Sequence, residues 1–422
     1  MKKNILYFLL GTMLLTGCSD DENSPASVIP EKTFSASSGL SLYYNGVEMP
    51  GKSVTFSQEG DEAKISTFSS FDLKQLTFLN TDGELPCPGI IPGSPTTVWN
   101  VKLSDKDGKW IFSGKDQNEY CTYSYSGTVT KGEMILNISD VLLKNNAISP
   151  TAWKPAPISK EEHEGYSSLP IYVDWEIDPL PGVDLDLSPI LSSITTLPLI
   201  PVANNTAYTS LSEALEEVLK AVSFRQDGNI LLTYISTSTG AAQIAQTQPN
   251  GLQFTTPEPG ILKLYINPLS LCGFILENTS GSTPPEEVNL TGTGLFPTGV
   301  PTSGTESSLA SMFSSQLAKD IAKNLLANIL PNIATGIPIS YSLTDNVLDI
   351  YIDTPVSLAI LKTVIDTVMQ DDEAIKSLLE ELSENELLAP FVKDLPTFQA
   401  FINHLFLNTT KFKIGFAFIP YQ

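Results

Sequence analysis

Three carboxylates alternate along one predicted strand and are the first candidates for chemistry in this sequence. Apolar and acidic residues alternate strictly over residues 172–178, which predicts a half-buried strand with Asp174, Glu176 and Asp178 on its outer face. Glycoside hydrolysis needs two carboxyl groups beside the scissile bond, and calcium is bound by carboxylate oxygens. Neighbouring positions on that face lie about 7 Å apart, which is compatible with both roles. The plainest interpretation is a solvated strand face without chemistry.

Histidine-dependent chemistry finds little support. The chain contains only His163, inside an acidic cluster, and His404, on a predicted short helix. The spacing of zinc proteases is absent, as are a Gly-x-Ser-x-Gly elbow and a phosphate-binding loop. We therefore predict a protein that is not an enzyme and has neither a cofactor nor a metal. A glycosidase that uses the acidic strand is the remaining catalytic alternative.

Aromatic side chains offer a second kind of site, because exposed rings stack on sugars. The candidate ligand-binding residues are Trp99, Trp110, Tyr123, Tyr125 and Trp175. Tyr123 and Tyr125 share one face of a predicted strand and are the preferred ligand-facing pair. The alternative is that most of these rings fill a β core, as buried aromatics usually do.

The N-terminus carries the pattern of an exported lipoprotein. Two lysines precede an apolar run over residues 5–15, which is too short to cross a bilayer and is typical of a cleaved signal. Leu15-Thr16-Gly17-Cys18 looks like the bacterial lipobox, so we expect a signal peptide over residues 1–17 and acylation of Cys18. No later stretch offers 18 consecutive apolar residues, so this lipid would be the membrane anchor.

Acidic residues directly follow the proposed lipidation site. Ser19-Asp20-Asp21-Glu22 resembles the export signal of surface lipoproteins in the Bacteroides group, which implies an outer-membrane protein that faces the cell exterior. The alternative is a solvated tether without a sorting role. Residues 18–36 are rich in Ser, Pro, Asp and Glu and predict a flexible acidic tether.

The charge balance excludes one class of partner. The chain has 422 residues with 24 Lys and Arg against 47 Asp and Glu, a net charge of −23, and it shows no basic cluster. Nucleic acid is therefore not an expected partner. The length allows two domains with substantial cores.

The predicted elements divide the chain into two domains. Residues 37–150 read as consecutive short strands, with the hairpin signal Asn45-Gly46, and predict an antiparallel β barrel or sandwich. Residues 151–422 mix helices and strands and predict an α+β domain. In it, a capping box from Ser210 to Glu213 opens a helix with Leu211, Leu215, Val218, Leu219 and Val222 on one side. The similar segments 262–267 and 348–353 suggest an internal helix-β-β repeat, or two similar strands by chance.

Two cysteines fall within the predicted β domain. Cys87 and Cys121 can form a disulfide if the compartment is oxidising, or remain as thiols if it is not.

Longer motifs connect the chain to a family. Residues 42–56, read as LYYNGVEMPGKSVTF, together with residues 222–230 and 411–416, resemble the uncharacterised calycin-like surface lipoproteins of Bacteroidales. The resemblance implies a lipocalin-like β domain followed by an α+β domain. It implies no reaction and provides no functional residues.

These observations lead to one functional prediction with two alternatives. We expect a non-catalytic surface lipoprotein that binds a ligand, a glycan first. One alternative is a carrier of a small apolar ligand or lipid, held in the β domain or between amphipathic helices. The other is a structural or accessory subunit of an outer-membrane complex.

Overall fold

The computed structural model places most of the chain in two compact units. It describes residues 27–49, 51–72, 84–148, 151–161, 165–178, 188–196, 200–201, 208–236, 243–247, 249–267, 332–370 and 392–421, with single positions between 324 and 389. The first unit comprises Met1–Thr67, Val98–Lys115 and Ser124–Ser139, and the second comprises Phe68–Thr97, Asp116–Tyr123 and Asp140–Gln422. Among the described residues strands predominate and helices are few, so the fold is a sheet-rich α+β fold.

The strands are, in chain order, β1 (Lys32–Ser35), β2 (Leu40–Tyr44), β3 (Val47–Glu48), β4 (Ser53–Glu59), β5 (Glu62–Phe68), β6 (Ser70–Asp72), β7 (Glu84–Pro86), β8 (Thr97–Lys102), β9 (Ser104–Lys106), β10 (Lys109–Gln117), β11 (Cys121–Val129), β12 (Met134–Leu143), β13 (Ala152–Pro155), β14 (Ser159–Glu161), β15 (Gly165–Ser168), β16 (Ile171–Ile177), β17 (Ile200–Pro201), β18 (Tyr208–Thr209), β19 (Leu219–Phe224), β20 (Ile230–Ser236), β21 (Gln243–Gln246), β22 (Leu252–Glu258), β23 (Ile261–Ile266), β24 (Ile337–Thr344), β25 (Val347–Ile352) and β26 (Thr409–Pro420). The helices with described bounds are α1 (Ser188–Ser192), α2 (Leu211–Val218), α3 (Thr354–Val368) and α4 (Leu395–Asn408), and 3-10 turns occupy Ala36–Ser38 and Ser193–Thr196.

The first unit contains strands of two open sheets. Their orders are β1-β4-β5-β8 and β3-β2-β12-β11-β10-β9. Trp99 of the first sheet stacks on Tyr125 of the second, with ring centroids 4.9 Å apart and planes inclined by 25°. This contact joins the inner faces of the sheets, as in a sandwich. The described residues form no closed barrel.

The predicted hairpin at Asn45-Gly46 is confirmed. Tyr44 pairs with Val47, and both turn residues have positive φ, 48° and 80°, as a type I′ turn requires. The prediction of purely antiparallel pairing is wrong at one place, because β2 and β12 pair in parallel. Some ninety residues separate these strands, which is ample for the long crossover that parallel pairing needs.

The predicted tether is shorter than residues 18–36. Ile29 is buried, and Lys32–Ser35 is strand β1, which pairs with β4. The Trp110 indole N–H also donates to the Ser27 carbonyl at 3.0 Å. The backbone from Ser27 onward therefore belongs to the first unit, because strand pairing and burial outweigh the polar composition of this segment.

A ten-stranded sheet forms the centre of the second unit. Its order is β21-β20-β19-β13-β26-β25-β24-β23-β22, and β16 also pairs with β26. The predicted alternation in β16 is confirmed, since Val173 and Trp175 are buried whereas Glu176 is exposed. Cross-strand partners share a face. The sheet therefore has one apolar face, with Trp175, Phe412 and Leu348, and one largely polar face, with Glu176 and Lys411.

Helices pack on parts of the apolar face. Leu405 and Phe401 of α4 and Leu358 of α3 pack around Trp175 and Phe412, whose rings meet edge-on with centroids 4.7 Å apart. Helix α3 begins at Thr354-Pro355, because proline fits the first turn of a helix.

Helix α2 begins as predicted but ends earlier. Ser210 and Glu213 form the predicted capping box. The helix stops at Val218, so Leu219 and Val222 belong to β19 and not to the helix. Strand pairing of β19 with β20 and β13 overrides the helical periodicity.

Only the strands of the suggested repeat lie within the described residues. Leu262 and Leu348 hold equivalent positions in β23 and β25, both second strands of hairpins, and both are buried. The residues before the second hairpin, 309–329, lie almost wholly outside the described residues, so the duplication stays a prediction.

Candidate functional site

The apolar face of the ten-stranded sheet holds a cavity of about 320 Å³. It lies in the second unit and is formed by strands from both halves of the sheet together with helix α2. The lining side chains are Leu215, Val218, Leu219, Val222, Phe224, Ile230, Leu232, Tyr234, Leu252, Leu262, Leu264, Ile339, Ile350, Phe416 and Phe418. Its size falls at the lower end of small-molecule sites.

Helix α2 is held over one side of this cavity. Ser210 Oγ accepts the Glu213 N–H, and a Glu213 carboxylate oxygen accepts the Ser210 N–H at 2.8 Å. Ser212 Oγ donates to the carbonyl of Ile171 at 3.1 Å and so ties the helix to β16. These bonds set the direction of the helix, which then points Leu215 and Val218 at the cavity.

A bulge brings the next apolar residues to the same cavity. The register of β19 against β20 shifts between Leu219 and Ala221. An extra residue in one strand changes which side chains share a face. Leu219 and Val222 therefore both reach the lining, although an unbroken strand would point them to opposite faces.

The lining has almost no capacity for hydrogen bonds. Tyr234 is the only lining residue with a polar side-chain atom, and burial raises the pKa of its phenol. A hydroxyl placed here without a partner would lose its water partners at a cost of about 1–3 kcal/mol, and a charge would cost more. The lining therefore favours hydrocarbon over a sugar.

The aromatic candidates lie elsewhere, and most are buried. Trp99, Tyr123, Tyr125 and Trp175 are no more than 9% exposed. The Tyr123 hydroxyl donates to Asp116 at 3.1 Å, and the Trp175 indole donates to Thr409 Oγ1 at 3.0 Å. These four rings form cores and present no face to a glycan, which corrects the expectation of a ligand-facing pair at Tyr123 and Tyr125. Trp110 is half-buried beside Ser27.

Comparison with protein-family models, curated proteins and solved structures finds no match to this chain. The geometry of the chain itself therefore carries the functional argument.

The acidic candidates form an ion-pair cluster with one lysine. Asp174 and Glu176 each lie 2.7 Å from Lys411 Nζ, which reaches across from β26. Hydrogen bonds to Asp174 and then to Glu176 raise the pKa of Lys411. The exposed Asp178 uses its backbone N–H to bond the carbonyl of Asn408. Both carboxylates that share a face are thus engaged by a cation on a solvated surface, which favours the plain interpretation of this strand.

Of the two alternatives for the cysteines, the structure shows free thiols. Cys87 and Cys121 are both buried and are not joined by a disulfide. The Cys121 thiol donates to Asn118 Oδ1 at 3.3 Å, and the same oxygen accepts the backbone N–H groups of Tyr120 and Cys121. Asn118 therefore holds this turn without a covalent link. Cys18 lies outside the described residues.

The described ranges hold no group of three or more His, Cys, Asp or Glu placed to bind a metal. Within them, too, no helix has both the length and the apolar character to cross a membrane. Buried His404 Nε2 has no hydrogen-bond partner there, and His163 falls outside the described residues.

The sequence patterns did not predict this cavity. Its lining comes from one helix and seven strands, and only the apolar side of residues 211–222 was singled out there, as a helix. The alternation of β20, β23 and β26 marks them as half-buried strands, but it does not tell which strands become neighbours.

Proposed function

We propose that the protein is a non-catalytic carrier of a small, linear apolar ligand, an acyl chain, held on the apolar face of the ten-stranded sheet. The observation that carries this proposal is the cavity of about 320 Å³ whose lining is almost entirely hydrocarbon. Burial of the candidate aromatic rings removes the main support for a glycan ligand.

The energetics favour an alkyl chain as occupant. Each buried CH₂ contributes about 0.8 kcal/mol, which is about fourfold in Kd per methylene. Because the phenol of Tyr234 is the single polar group of the lining, affinity should follow chain length until the cavity is full. A carboxyl or ester head would remain at the mouth, in contact with water.

The lipid anchor is part of the same proposal. Acylation at Cys18 would hold the carrier at the outer membrane, with the acidic residues 19–22 directing it to the cell exterior. A membrane-bound carrier of acyl chains would work beside the surface that supplies or receives its ligand.

Titration of the purified mature chain with octanoate, decanoate and dodecanoate tests the proposal, with displacement of a dansyl-labelled fatty acid as the signal. We expect Kd to fall by about an order of magnitude with each added pair of methylenes. Native mass spectrometry of the untreated protein should show a bound species of fatty-acid mass.

Two tryptophan substitutions in one strand provide the matched comparison. Ile339→Trp places a large ring in the cavity and should abolish binding, whereas Leu343→Trp, on the same face of β24 but 47% exposed and outside the lining, should leave it unchanged. Equal affinity for all chain lengths, or full binding by a folded Ile339→Trp variant, would refute the carrier.

A further inference from the structure

The polar face of the same sheet holds a second cavity, of about 490 Å³. Its walls combine apolar side chains with one carboxylate and one phenol. They consist of Ala156, Pro157, Ser168, Leu169, Tyr172, Val347, Asp349, Ala417 and Ile419. We propose that this cleft binds a primary ammonium group carried on an aliphatic stem, with Asp349 as the counter-ion.

The two cavities are separate because strand residues alternate between faces. Asp349 and Ala417 are register partners and line this cleft, whereas Ile350 and Phe416, the next pair along, line the acyl cavity. One sheet therefore separates a hydrocarbon site from a site with a carboxylate. The second site does not rest on the function proposed for the first.

Asp349 lacks a cation of its own. Among the described residues its carboxylate takes part in no ion pair, and Ser342, its register partner in β24, opposes the rise in its pKa. Burial raises the pKa of this group, which reflects the cost of keeping a charge away from water. A ligand cation would offset that cost, whereas a ligand anion would increase it.

The same face carries Lys154, the register partner of Ile419, and two lysines of β26 that have other partners. Lys411 pairs with Asp174 and Glu176, and Lys413 Nζ lies 4.3 Å from the centre of the Tyr351 ring.

Tyr172 forms a flat wall beside the carboxylate. Its ring lies over Gly415 of β26, where a Cβ atom would collide with it. Burial is the main reason that the pKa of this phenol is raised, followed by the nearby Asp349. The neutral ring can contact both the aliphatic stem and the ammonium group of a ligand. Ala156, Leu169 and Ile419 provide further apolar wall for the stem.

Binding of hexylammonium to the full mature chain, measured by calorimetry, tests the site. Hexanol and hexanoate serve as uncharged and anionic probes of the same length. A blocked lysine amide shows whether a lysine side chain of a protein also satisfies the site. We expect hexylammonium to bind at least about tenfold more tightly than hexanol, and hexanoate not to bind in this cleft.

Asp349→Asn should weaken hexylammonium binding at least about tenfold, while Asp345→Asn, in the exposed turn of the same hairpin, should have no effect. Ile339→Trp, which fills the acyl cavity, should also have no effect, so failure of one site is distinguishable from failure of the other. If Asp349→Asn does not fold, Val347→Trp should block the cleft. Equal binding of hexanol and hexylammonium to the Ile339→Trp variant, or a folded Asp349→Asn variant with unchanged affinity, would overturn the proposal.

Discussion

At the scale of single residues, successive side chains of β25 and β26 point to opposite faces of the sheet, and each face has its own chemistry. Phe416 and Phe418 line the hydrocarbon cavity, while Ala417 and Ile419, one step along the same backbone, line the cleft that contains Asp349. A register shift of one residue would exchange these sets and place a carboxylate among hydrocarbon side chains. The difference in chemistry between the faces therefore fixes the register.

The burial of Cys121 predicts that its thiol reacts slowly. Burial raises the pKa of Cys121 to about 12, with Lys144 opposing the shift. Since the thiolate is the reactive form, iodoacetamide at pH 8 should modify Cys121 at least about a hundredfold more slowly in the native chain than in urea. Peptide mapping by mass spectrometry after a short labelling pulse measures this rate for Cys121 alone.

The raised pKa of Cys121 also determines how this thiol contributes to stability at different pH. The thiol loses its proton more readily in the unfolded chain, so its contribution is complete below the unfolded pKa and is lost as the pH rises through about 12. Native labelling of Cys121 as fast as in urea would contradict its burial. A disulfide to Cys87 would instead appear as protection that persists in urea and disappears on reduction.

At the scale of elements, helix α2 connects local stability to the proposed ligand site. Ser210→Ala removes the acceptor for the Glu213 N–H and should lower the free energy of unfolding by about 1 kcal/mol. Because α2 carries Leu215 and Val218 to the cavity, we also expect decanoate to bind several-fold more weakly. Urea unfolding and the fatty-acid displacement assay measure the two effects.

Helix α4 supplies the matched control for that prediction. Asp394 Oδ1 accepts the Thr397 N–H at 2.8 Å, and α4 packs on Trp175 and Phe412, none of which lines the cavity. Asp394→Ala should therefore lower stability without changing the affinity for decanoate. An equal loss of affinity in both variants would mean that global stability, not the position of α2, controls binding.

The elements also show which parts of the fold a sequence can predict. The turn at Asn45-Gly46 and the capping box at Ser210 depend on neighbouring residues, and both are predicted correctly. The parallel pairing of β2 with β12 and the pairing of β16 with β26 depend on partners that are distant along the chain. Local patterns do not specify such partners, so the cavities built from them could not be predicted.

At the scale of the whole molecule, the N-terminal segment connects the first unit to the proposed anchor. The first described contact of the chain is Ser27, whose carbonyl accepts the Trp110 indole N–H. Nine residues beyond Cys18 can extend at most about 32 Å. If Cys18 is acylated, the first unit must therefore stay close to the bilayer surface.

Replacing the proposed lipid attachment residue tests this arrangement. Cys18→Ser removes the thiol that would carry the acyl chains, so the protein should lose radiolabelled palmitate and move from the membrane to the soluble fraction.

Protease treatment of intact cells should degrade the unaltered protein if the acidic residues 19–22 direct it to the exterior. Replacing Asp20, Asp21 and Glu22 with alanine should then protect the chain from protease while leaving it acylated. Membrane association of the Cys18→Ser variant would refute the anchor, whereas protease resistance of the acylated, unaltered protein would refute only its orientation. These separate outcomes matter because a carrier on the outer surface could take acyl chains from the medium, whereas one on the inner surface could exchange them only with the periplasm.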